Sequence, residues 1–176
     1  MSSLYSVSIP VLLNILAATS HVLKKGGEHA REKGIAISEY LDARIAEDML
    51  PLRTQVHIVC STARKAVERL TGAAPPALDL EAERPTLEEW LAVVDETAEM
   101  LRAVDPAAVD GKEQTRVPCV FGPEKFEAPL ADYVHGYPVP TAYFHLSMIY
   151  AILRGKGVPL GKVDYMTPFM QSFTKV

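Results

Sequence analysis

A chain of 176 residues with 48% hydrophobic and 23% charged residues is long enough to bury one core without disulfide or metal staples. Its net charge of −4 argues against nucleic-acid binding, which needs a basic stripe to offset phosphate charge, and no run reaches the roughly 18 uninterrupted apolar residues of a membrane span. Two cysteines, Cys60 and Cys119, without a CxxC spacing, fit a reduced cytoplasmic protein better than a disulfide scaffold, so the expectation is a single domain over residues 1–176 with neither nucleic acid nor membrane as partner.

The first apolar stretch, Ile9 to Ala18, has no basic residues before it and reads as a helix rather than a signal core. Ser8 supplies a capping hydroxyl, Pro10 is tolerated in the first turn, and Leu12, Leu13, Leu16, Ala17 and Leu23 form the buried stripe. Gly26 and Gly27 each cost roughly 1 kcal/mol in a helix interior. The chain therefore either kinks there or resumes as a polar extension from Glu28 to Lys33, with Gly34 ending it. Lys24, Lys25, Arg31 and Lys33, interleaved with Glu28 and Glu32, read as a solvated face.

Met49, Leu52, Val56, Val59, Ala63, Val67 and Leu70 step by three or four, the period of a second helix with one buried stripe. Asp48 is placed to cap it, and Gly72 with Pro75 and Pro76 stops it. A third helix begins at Thr86, with Glu89 three residues on in the capping-box arrangement, buries Leu87, Trp90, Leu91, Val94, Ala98 and Leu101, and ends at Asp105 and Pro106. Val117, Cys119, Val120 and Phe121 form a strand-like run. Gly122 and Pro123 make a turn, Lys125 to Glu127 is a return strand, and Pro118 keeps the pair at an edge. From Ala142 to Leu153 the chain is apolar nearly all round, which predicts a helix packed on several sides.

At the end of the chain, residues and family meet. His145 followed by Leu153, Arg154 and Gly157 resembles the last bundle helix of the DinB-like (DinB/YfiT) superfamily. Ala43 to Leu52, Gln55 to Cys60, Tyr150 to Arg154 and Gly157 to Lys162 together resemble a branch of that superfamily catalogued as a domain of unknown function. The resemblance implies an all-α, up-down-down-up four-helix bundle, here with a short β-hairpin-like insertion before the last helix, and often a homodimer. It also implies a pocket in which relatives hold a divalent metal (zinc, nickel or iron) with three histidines, one from the second helix and two, four residues apart, from the last. His57 and His145 match the first and third ligands, whereas the position four before His145 is Thr141. A hydroxyl is a poor substitute for imidazole at such a metal, so no tightly bound metal is expected. His135 replaces the missing ligand only if the segment from Gly136 to Pro140 bends back toward the pocket.

Without a metal, Tyr150 or Tyr143 with His145 makes a proton donor and acceptor pair suited to isomerisation, cyclisation or elimination of a small molecule, with His57 a further catalytic candidate. His135, Thr141 and Arg44 are candidate substrate-binding groups, Arg44 for an acidic one. A core histidine, a packed tyrosine ring and a paired arginine are the plainer readings of the same residues. Cys60 beside the second stripe reads as an inert small hydrophobe. Nucleophile elbows and phosphate-binding glycine loops are absent from the sequence. The functional expectation is a small-molecule enzyme using acid–base chemistry. The alternatives are a non-catalytic dimeric binding or interaction protein that lost the metal site, and a metal-dependent transferase.

Overall fold

The computed structural model describes residues 3–76, 79 and 82–174, with the Phe121 side chain left aside. It is mostly helical, with one two-stranded antiparallel sheet. Helix α1 runs Ile9–Lys33, α2 Ile37–Leu41, α3 Leu52–Thr71 and α4 Leu87–Arg102. Strands β1 (Arg116–Phe121) and β2 (Glu124–Pro129) follow, then α5 (Leu130–Gly136), α6 (Pro138–Gly155) and α7 (Lys162–Met166). The four long helices pack in pairs: α3 on α6, α1 on α4, α1 on α6 and α3 on α4. Among the described residues no helix is long and apolar enough to cross a membrane.

Helix α1 continues without a break through Gly26 and Gly27, so the polar extension is helical and the kink does not occur. Close packing explains why. A Cβ at Gly26 would lie 2.9 Å from Leu153 Cδ2 on α6, and one at Gly27 would lie 2.3 Å from Leu87 Cδ2 on α4. The pair gives up helix propensity so that two neighbouring helices approach α1 closely. Gly34, left-handed at φ 66°, ends the helix by donating to the Ala30 and Arg31 carbonyls. Ser8 does not cap, contrary to expectation. Its hydroxyl donates back to the Leu4 carbonyl at 2.6 Å, because residues 4–8 already form a turn that leads into the helix.

Helix α3 starts after Pro51, so exposed Asp48 lies too far upstream to cap it. Its stripe of Leu52, Val56, Val59, Ala63, Val67 and Leu70 is buried, while Met49 stays outside the helix and half-buried. The capping box at α4 is complete: the Glu89 N–H donates to Thr86 Oγ1 at 3.3 Å and the Thr86 N–H to Glu89 Oε2 at 3.0 Å. The hairpin pairs Arg116 with Pro129 through Phe121 with Glu124, and Gly122 takes φ 58° in the turn. Helices α5 and α6 follow almost end to end. Helix α6 buries Ala142, Leu146, Ile149, Ile152 and Leu153 against the other long helices, yet leaves Phe144 55% exposed, so it is not covered all round.

Beyond α6 the chain is clasped to α1. Lys25 Nζ donates to Asp164 Oδ1 at 2.8 Å, His21 Nε2 lies 3.1 Å from the same oxygen, and the Gly161 N–H donates to Oδ2 at 2.7 Å. These contacts, with the Lys25 bond foremost, hold the Asp164 carboxyl well below the usual carboxylate range.

Substituting Gly26→Val forces a branched side chain into Leu153. It is expected to lower unfolding stability by about 1–3 kcal/mol, whereas exposed Glu28→Ala stays within about 0.5 kcal/mol. Urea midpoints of the two variants check this, and an unchanged midpoint for Gly26→Val would contradict the close-packing account.

Candidate functional site

Helix periodicity sorts the candidate residues before any cavity is considered. At about 100° per residue, positions i, i+4 and i+8 stack on one face. His57, Ser61 and Lys65 form such a ladder on α3, and Tyr137, Thr141 and His145 form another at the start of α6. The two ladders, with Ile58, Thr62 and hairpin-turn Gly122, line one cavity of about 390 Å³. Lys65 and Gly122 are exposed at its edge, and His57, Thr141 and His145 are half-buried.

The ring of His145 is oriented by a buried amide. Gln55 sits in the apolar stripe of α3, 2% exposed, and its Nε2 donates to the Leu50 carbonyl at 2.9 Å. That bond fixes which end of the amide is which, so Oε1 accepts from His145 Nδ1–H across 2.6 Å. Nδ1 therefore carries the proton, and Nε2 is the basic nitrogen left for chemistry. Burial pushes the His145 pKa below its ordinary value, which keeps the imidazole neutral near pH 7. Phe144 packs edge-on against it, with ring centroids 5.1 Å apart.

Other candidates lie elsewhere. Tyr143 and Tyr150 do not pair with His145. They are about 200° and 140° away around α6, a separation hidden by their nearness in sequence. Tyr143 stacks on Phe169 at 5.6 Å, and the Tyr150 hydroxyl donates to the Leu160 carbonyl at 3.4 Å, so both pack the C-terminal segment. His135 is exposed on α5, and the segment from Gly136 to Pro140 is taken up by α5 and α6 rather than bending back. Tyr137, and not His135, lines the cavity. Arg44 is exposed beside Ile45, Ala151 and Lys156, outside this cavity. Cys60 is fully buried, and burial pushes its thiol up to about 12, as befits an inert hydrophobe.

The donor set does not fit a three-histidine metal site. Two imidazoles share the cavity with Thr141 where the third would stand, and among the described residues no group of three or more His, Cys, Asp or Glu comes together to hold a metal ion.

Residues 4–166 match the family described as a domain of unknown function, DUF1993. The chain belongs to the DUF1993 family. A solved structure of a DinB family member protein from Shewanella denitrificans superposes on this DUF1993 chain with a TM-score of 0.81 at 26% identity, covering 93% of this chain and 91% of that one. The fold is therefore DinB-like. No curated protein matches the chain.

Gln55 escaped the sequence reading as an individual residue. Its signal was present: an uncharged polar side chain between Leu52 and Val59 on the buried face, where an amide must find partners.

Replacing Gln55→Leu removes the acceptor from Nδ1–H. It is expected to cost about 1–3 kcal/mol and to release the tautomer into a mixture. In the wild type, nitrogen NMR should find the proton on Nδ1 and a His145 pKa below about 6.5. Because the unfolded chain takes up that proton more readily, His145 subtracts stability as pH falls through its unfolded value. A pKa at or above that value would contradict the burial argument.

Proposed function

We propose that this DUF1993 chain is a small-molecule enzyme in which His145 Nε2 moves a proton within the cavity between α3 and α6. The long helices are read as an up-down-down-up four-helix bundle, with the hairpin closing one end of the cavity. The single observation that carries the reading is the 2.6 Å bond between Gln55 and His145, which selects one tautomer of a neutral imidazole facing a cavity of polar side chains. A buried amide dedicated to one ring nitrogen is the arrangement a general base needs, since it presents the other nitrogen in a fixed place.

Tyr137 and Thr141, on the same ladder, are the hydroxyls placed to complete proton transfer, in the role that Tyr143 and Tyr150 do not reach. Isomerisation, cyclisation or elimination requires no more than such a pair. Function is read without a tightly held zinc, nickel or iron, because two imidazoles and a hydroxyl give up one strong ligand.

A second reading, a non-catalytic dimeric binding protein, draws on Phe144, Ile45 and Leu50, large apolar side chains about half exposed.

Wild type and His145→Ala are compared on a mixture of small metabolites in deuterated water, followed by mass spectrometry. General acid–base catalysis predicts a loss of roughly 10²–10⁴-fold in turnover or deuterium uptake in the variant. Identical profiles favour the binding protein, and near-stoichiometric metal that disappears in His145→Ala favours a metal-dependent transferase.

A further inference from the structure

The charge of the cavity is opposite to that of the chain. The protein carries 22 Asp and Glu against 18 Lys and Arg, yet among the described residues no carboxylate lines this cavity. Its wall holds one ammonium, Lys65, two imidazoles and several hydroxyls. Lys65 has no carboxylate partner among the described residues, unlike Lys25, which is bonded to Asp164. Thr141, half-buried, likewise has no side-chain hydrogen-bond partner among them.

Geometry separates the cation from the imidazole. His57 and Lys65 are eight residues apart on α3, about 12 Å along the axis at 1.5 Å per residue. Gln55 holds His145 at the N-terminal part of the same helix. Lys65 therefore marks one end of the cavity and His145 the other, with Ser61 and Thr141 on the walls between.

We propose that the cavity binds a compact oxyanion, a carboxylate or phosphate carried on a small molecule, with the acid group at Lys65 and the remainder extending toward His145. This rests on the acid–base reading of the site and names its substrate class. In a partly enclosed cavity, an ammonium without a competing carboxylate attracts an anion more strongly than it does in open water. The threonine hydroxyl donates to the ligand without adding negative charge.

The test uses the full chain after chelator treatment, at matched ionic strength, titrated with succinate, with inorganic phosphate and with neutral succinamide, and followed by calorimetry and backbone amide NMR. Saturable shifts at Lys65, Thr141 and His145 are expected with one or both anions and not with succinamide, and the arm that saturates first names the acid group. Lys65→Gln should weaken binding about tenfold or more, while Lys33→Gln, on the exposed end of α1, leaves it unchanged. Absence of saturable shifts with either anion, equal response to succinamide, equal effects of the two lysine variants, or binding seen only before chelation would each overturn the proposal. A silent titration with the His145 tautomer intact removes the anion alone. Equal turnover by wild type and His145→Ala removes the acid–base reading and leaves anion binding standing.

Discussion

A buried amide must satisfy both of its ends, and in this chain that requirement ties three segments together. Gln55 lies inside the apolar face of α3, where an unpartnered polar group costs about 1–3 kcal/mol. Its nitrogen finds Leu50, which fixes how the segment before α3 turns into the helix, and its oxygen finds His145, which fixes where α6 lies along α3. Apolar stripes alone are satisfied by several offsets of one helix along another. The amide accepts one, so the bond that orients the imidazole also sets the helix pairing from which the cavity is built.

Electrostatics divide the molecule in a similar way. Asp164 is surrounded by donors from α1 and from its own turn, and its negative charge is held there with its partners. The cavity between α3 and α6 is lined by a lysine, two histidines and hydroxyl groups, with no carboxylate among its described lining residues. The first arrangement closes on itself and fastens the end of the chain to α1.

Much of the architecture was legible in sequence because periodicity and capping are local. The α3 stripe, the Thr86 and Glu89 capping box and the hairpin around Gly122 need only neighbours a few residues away to be recognised. What sequence hid was tertiary. The glycine pair left a kink and a continued helix both open because a local propensity was weighed without the Leu87 and Leu153 side chains that fill the space a Cβ would take. Tyr143 and Tyr150 were grouped with His145 by proximity along the chain, although helix geometry turns them away. His57, Thr141 and His145 do line one cavity, while His135 does not, since its place depended on a backbone path that the α5 to α6 junction does not follow.

The adjacent glycines of α1 also shape how the sequence can vary. Gly26 faces α6 and Gly27 faces α4, so neighbouring codons answer to different partners. A larger residue at 26 calls for a smaller one at 153, and a larger residue at 27 calls for a smaller one at 87. Neither compensation relieves the other. Sequence drift in this stretch is thus constrained to two independent paired changes, and a lineage that replaced both glycines would have to trim two helices to accommodate one.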